Sequence, residues 1–112
     1  MKEVPLTNPI TVLAPCKLAQ GVTEAQFLAA SDVFQRDFAG LEPGIIRREL
    51  VRKGEGEYLD IVQFRSMEDA HDVMEKEKQS KVCNAFFALL DESADVQGAE
   101  DVGLYPSLAT YA

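Results

Sequence analysis

The sequence predicts an α+β fold of the split βαβ, ferredoxin-like kind: a four-stranded antiparallel sheet with helices packed on one face. Three observations predict it. The elements run strand, helix, strand, strand, interrupted helix, strand. Apolar residues repeat with a period near 3.6 where helices are expected and near 2 where strands are expected. The connections are short, as in a compact domain. With 112 residues there is room for one hydrophobic core, so residues 1–112 read as a single domain.

Ile10 to Leu18 is apolar and partly β-branched and reads as the first strand, with Pro15 demanding a bulge or an early end. Thr23 and Gln26 form a capping box, and Val22 and Phe27 are spaced for a hydrophobic staple. Phe27, Ala30, Phe34, Phe38 and Leu41 then form one helical stripe, with Gly40 expected as a left-handed cap. Glu42-Pro43-Gly44 suits a type II turn. A hairpin follows, with strands Gly44 to Lys53 and Glu57 to Arg65 around the loop Gly54-Glu55-Gly56. Ser66 and Asp69 open a second helix whose stripe is Met67, Ala70 and Met74. The pattern breaks near Gln79-Ser80 and restarts through Val82, Ala85, Phe86 and Leu89, ending near Asp91-Glu92. An acidic loop with Asp91, Glu92, Asp95, Glu100 and Asp101 leads to a last strand from Val102 to Tyr111, where Pro106 requires an edge or a bulge.

Composition narrows the function. The net charge of -8 argues against nucleic acid, which needs a basic surface, and against anionic membranes. The longest apolar run, Ala85 to Leu90, is far short of the roughly 20 residues of a membrane span. Two cysteines, Cys16 and Cys83, do not make a disulfide scaffold and fit a reduced, cytoplasmic setting. Leu13-Ala14-Pro15-Cys16 imitates a lipoprotein cleavage box. Pro5, Asn8 and Pro9 break the apolar stretch that box needs, and Pro15 stands where a small residue is wanted. One histidine and two distant cysteines offer no metal-ligand spacing, so no metal is expected.

The third strand carries the assembly signal. Tyr58, Val62 and Phe64 lie on one face, and Leu59 and Ile61 on the other. Two helices cover only one face, so the other requires a partner, and a homodimer formed through the sheet face is the economical solution. The turn at Glu42-Pro43-Gly44, the hairpin and the run from Tyr58 to Ala70 resemble the antibiotic-biosynthesis monooxygenase-like family over roughly residues 10–92. That resemblance implies a dimeric α/β barrel, in which the sheets of two chains form the barrel and the helices lie outside. Some members are cofactor-independent oxygenases of electron-rich aromatic substrates, and others degrade haem. The haem-degrading pattern uses a Trp in the third strand and a His on the following helical segment. Phe64 stands at the Trp position here, the chain has no Trp, and Lys81 to Leu90 contains no His. Haem chemistry is therefore not expected, nor is any other cofactor.

Candidate chemistry centres on Asp60. A three-residue hairpin loop pairs Leu50 with Asp60 and Arg48 with Val62, making Arg48 and Arg52 diagonal neighbours of Asp60 on a mainly apolar face. Asp60 is then either a pocket base with a tuned pKa or half of a structural Asp–Arg pair. A different loop length would reverse the pairing parity. His71 borders the buried stripe of the second helix and could move a proton near neutral pH, or stand half-exposed with no role. Cys83 reads as buried filler, since its neighbour Lys81 faces elsewhere on the helix. Arg48, Arg52, Tyr58, Phe64, Phe34, Met74 and Phe86 are the candidate substrate-binding residues; the aromatic ones, with Phe38, Phe87 and Met67, could line a flat pocket or simply form the core. Three functions stay open: a cofactor-independent monooxygenase acting on a small aromatic or quinol-type substrate, a dimeric ligand-binding or regulatory module, and a structural dimer.

Overall fold

A computed structural model describes residues 8–91 and 102–111. The elements are β1 (Ile10–Lys17), α1 (Glu24–Asp37), a single 3-10 turn (Ala39–Leu41), β2 (Ile45–Gly54), β3 (Glu57–Phe64), α2 (Met67–Gln79), α3 (Lys81–Phe87) and β4 (Gly103–Pro106). The sheet order is β2-β3-β1-β4, and every neighbouring pair is antiparallel. This is the predicted split βαβ arrangement, with β1 and β3 central. The acidic loop expected from Asp91 onwards lies, over residues 92–101, outside the described residues.

Each helix begins where its capping chemistry predicts. Thr23 Oγ1 accepts from the Gln26 amide at 3.1 Å, while Gln26 Oε1 accepts from the Thr23 amide at 2.9 Å. Ser66 and Ser80 accept from the Asp69 and Cys83 amides and open α2 and α3. The end of α1 differs from expectation. The helix stops at Asp37 with Phe38 as cap, and no left-handed glycine closes it. Gly44 likewise lacks the positive φ of a type II turn. Its turn is closed by the Ile45 amide on Glu42 O at 3.1 Å, and a Cβ on Gly44 would come within 2.8 Å of the Asp69 side chain. Glycine is required there for close approach rather than for backbone hand.

Pro15 passes through β1 without a bulge, in unbroken register with Leu59. Hydrogen bonding explains this. The Leu18 amide bonds Gly56 O on the β3 side, and Lys17 O accepts from the Asp91 amide on the opposite side. Strand alternation therefore turns the Pro15 nitrogen away from β3. On that side β4 pairs only with Ile10 to Leu13, so no ladder bond is lost. Pro106 follows the same logic. The Ser107 amide bonds Pro9 O at 2.8 Å, which leaves the Pro106 nitrogen on the outer edge. β4 itself is shorter than expected and ends at Pro106.

The sheet has two unlike faces. Ile10, Val12 and Cys16 of β1 and Tyr58 and Phe64 of β3 share one core with Phe27, Phe34, Ala70, Val73, Cys83 and Phe86 of the helices. On the reverse face Leu13 pairs with Ile61, and Pro15 and Val51 both oppose Leu59; Leu13, Val51, Leu59 and Ile61 are only partly buried and Pro15 is exposed. Part of this face is covered where Gln63 Nε2 donates to Ser107 Oγ at 3.2 Å and Thr110 Oγ1 at 3.0 Å.

Candidate functional site

The site is built on the hairpin. Its turn has two residues, Glu55 and Gly56, one fewer than expected, with Gly56 at a φ of 73°. A register shift between Arg52 and Gly54 restores the parity that the shorter turn would have reversed. Arg48 therefore stands opposite Val62 and Leu50 opposite Asp60, the pairing inferred from sequence. Arg48 reaches diagonally to Asp60. Its Nε donates to both carboxylate oxygens at 3.0 and 3.2 Å, and its Nη2 donates to Oδ2 at 2.9 Å.

This pair lies between sheet and helices, with only 6% of the Arg48 side chain and 9% of the Asp60 side chain exposed. Arg48 Nη2 also donates to Ser31 Oγ at 3.0 Å, and Nη1 makes a long contact of 3.5 Å with Gln35 Oε1. The guanidinium sits over the rings of Phe34 and Phe86, at 4.7 and 5.5 Å from their centroids. Those rings stack on each other at 4.8 Å, and Phe27 continues the column to Tyr58. Burial raises the Asp60 pKa above the ordinary carboxylate value, against the pull of Arg48. The Cys16 thiol on β1 is pushed up to about 12, first by burial and then by the Asp60 charge, which favours the neutral thiol.

A second carboxylate joins the cluster from α2. Glu77 is partly buried, and its pKa is pushed up to about 7, first by burial and then by the negative charge of Asp60, with Arg48 opposing. Sequence reading missed Glu77 because it sits in the alternating run Glu75-Lys76-Glu77-Lys78, which looks like a solvated surface. The available signal was its position seven residues after Ala70, two turns along the buried stripe. Ser31 was missed for a similar reason: it is a small polar residue four after Phe27 and three before Phe34, and it is buried.

The structure thus brings together Arg48, Asp60, Phe34 and Phe86. Phe64 is buried in the same core, and Met74 packs against it. Tyr58 and Arg52 take part in a different cluster at the rim. Arg52 Nε and Nη2 donate to the two Glu24 oxygens at 2.8 and 2.7 Å, and the Tyr58 hydroxyl donates to Glu24 Oε1 at 2.7 Å. The expected diagonal contact of Arg52 with Asp60 is replaced by this pairing with α1. His71 is exposed on α2, outside the buried cluster; the inward-facing positions of that helix are Ala70, Val73, Met74 and Glu77. Met67 is exposed, and Phe87, also partly open to solvent, packs its ring against Phe34 and Phe86. An open depression of about 540 Å³ is lined by Pro9, Ile46, Arg65, Ser66, Glu68 and Asp69, and none of the candidate site residues borders it. Among the described residues, no group of His, Cys, Asp and Glu is arranged to hold a metal ion, and no helix is long and apolar enough to cross a membrane.

No family model matches the chain, and no curated protein matches it significantly. Solved structures do. SnoaB, a cofactor-independent oxygenase from Streptomyces nogalater, superposes with a TM-score of 0.67 at 17% identity, covering 92% of this chain and 96% of its own. A candidate antibiotic biosynthesis monooxygenase from Caulobacter crescentus gives 0.60 at 20% identity, over 94% of this chain and 92% of its own. A conserved protein from Methanosarcina mazei gives 0.63 at 11% identity, over 89% and 93% respectively. The chain has the fold of the antibiotic biosynthesis monooxygenase-like proteins, as its sequence pattern suggested. At these identities the likeness is one of fold.

Proposed function

We propose that the chain is a small-molecule enzyme of the cofactor-independent oxygenase type, working as a homodimer on a small phenolic or quinol-type aromatic. The observation that carries this reading is the charged cluster of Arg48, Asp60 and Glu77 set against the stacked rings of Phe34 and Phe86. Aromatic side chains beside a few convergent polar groups are the composition that aromatic ligands favour. A carboxylate of the cluster removes the proton of a substrate hydroxyl, and the electron pair stays on the ring system as a phenolate. That anion passes one electron to O2, and the two radicals combine at a ring carbon, so the substrate supplies the reducing equivalents. Arg48 would hold the phenolate oxygen, because a guanidinium has five N–H donors and Nη1 makes only the 3.5 Å contact. The partly exposed apolar face around Leu13, Val51, Leu59 and Ile61 supports pairing with a second copy. The free, buried Cys16 and Cys83 support a reducing, cytoplasmic setting.

The test is oxygen uptake with a panel of hydroquinones and polyphenols. Uptake that requires the protein and falls in Asp60→Asn is expected. Tight binding of a quinol with no uptake would establish a ligand-binding module instead. Sedimentation equilibrium should report twice the chain mass; a stable monomer would remove the dimer from the reading.

A further inference from the structure

We infer that Glu77, rather than Asp60, is the group that accepts the substrate proton, an inference that rests on the oxygenase reading above. The first ground is position. Glu77 lies seven residues after Ala70 on α2, which at 100° per residue brings it back to within about 20° of the same direction. Ala70 is fully buried and Val73 nearly so, hence Glu77 continues the inward stripe of the helix. The second ground is valence. Both oxygens of Asp60 already accept from Arg48, whereas the Glu77 carboxylate has no hydrogen-bond or ion-pair partner among the described residues. Its lone pairs are free to accept a hydrogen bond from a ligand, and a phenolic O–H is such a donor.

The third ground is the charge around it. Asp60 on β3 and Arg48 on β2 act on the charge of Glu77, Glu77 acts in turn on the Cys83 thiol of α3, and α1 brings the uncharged Ser31 and Gln35 to Arg48. Burial, and then the negative charge of Asp60, keep Glu77 basic enough to work near neutrality, where a general base is most effective. In the step itself the substrate O–H bond breaks, an O–H bond forms on Glu77, and the electron pair remains on the substrate. Asp60 then acts as a positioning residue that fixes the Arg48 guanidinium over the rings.

The experiment compares Glu77→Gln and Glu77→Asp with wild type in oxygen uptake across pH, alongside a carbon-13 titration of the side-chain carboxyls. The expected results are a Glu77 resonance titrating well above the other glutamates and a loss of about a hundredfold in kcat for Glu77→Gln with KM little changed. The acidic limb of the wild-type pH profile should vanish in that variant, and Glu77→Asp should recover part of the rate. An active wild type whose rate and acidic limb survive in Glu77→Gln overturns the assignment of Glu77 alone. So does an ordinary carboxyl titration for Glu77. A wild type that oxidises no member of the panel overturns the oxygenase reading and the role of Glu77 with it.

Discussion

Arg48 and Arg52 stand four residues apart on one face of β2, and each holds a carboxylate through two nitrogens. The closest contacts are nearly equal, 2.9 Å for Arg48 with Asp60 and 2.7 Å for Arg52 with Glu24. Their surroundings differ: the first pair is 6% and 9% exposed, the second 61% and 36%. The carboxylates respond in opposite directions. Asp60 is raised, because burial outweighs its guanidinium, whereas hydrogen bonds from Arg52 and then Tyr58 lower Glu24 to about 2. Equal geometry therefore carries unequal meaning. The inner pair is held in place by a fold that must first remove two charges from water, while the outer pair is a solvated clasp between α1 and the hairpin.

The largest effect should come from breaking the inner pair. Arg48→Met leaves Asp60 buried with no counter-ion and should cost about 3–5 kcal/mol in urea unfolding. Because burial already dominates at Asp60, replacing both partners with apolar residues, as in Arg48→Met with Asp60→Leu, should recover most of that loss. A double variant no more stable than Arg48→Met would show that the pair does contribute net stability. The comparison between the inner and outer pairs would then lose its basis.

Next in size is the pH dependence created by Glu77. Its pKa is raised from 4.5 to about 7 in the fold, so the native state binds the proton more tightly than the unfolded chain. The stabilisation is complete below pH 4.5 and is lost as pH rises to 7, by at most about 3 kcal/mol. Glu77→Gln should flatten unfolding free energy over that window and be the more stable protein above it. Unfolding midpoints of the two proteins that run parallel across the window would place Glu77 in solvent.

These effects also show where the sequence was sufficient. The strand order and the capping residues followed from apolar period and cap chemistry, which act locally. The hairpin register came out as inferred although the turn is one residue shorter, because a bulge near Lys53 compensates. Pro15 pointed to a bulge or an early end of β1, and neither occurs because the short β4 leaves its side of the strand unpaired, a fact about a distant segment. Glu77 and Ser31 were hidden for a different reason. Their identities suggest solvent, and only their helical phase, confirmed by the packing of α2 and α1, turns them inward. His71 is the converse case, since an interesting residue type at a stripe boundary falls on the exposed side.

The smallest effect belongs to the outer pair. Arg52→Ala removes the two contacts to Glu24 but leaves the Tyr58 hydroxyl to hold that carboxylate in place. The thermal midpoint should move less than for any change above, and the difference should disappear in molar salt, which screens exposed charges. The acid side gives a sharper reading. Glu24 is lowered from 4.5 to about 2, so its contribution is present above pH 4.5 and is lost as pH falls towards 2, the reverse of Glu77. Arg52→Ala should therefore lose less stability than wild type on acidification through that range. If salt leaves the Arg52→Ala difference untouched, the outer pair is not the solvated clasp that its exposure indicates, and it belongs with the inner one.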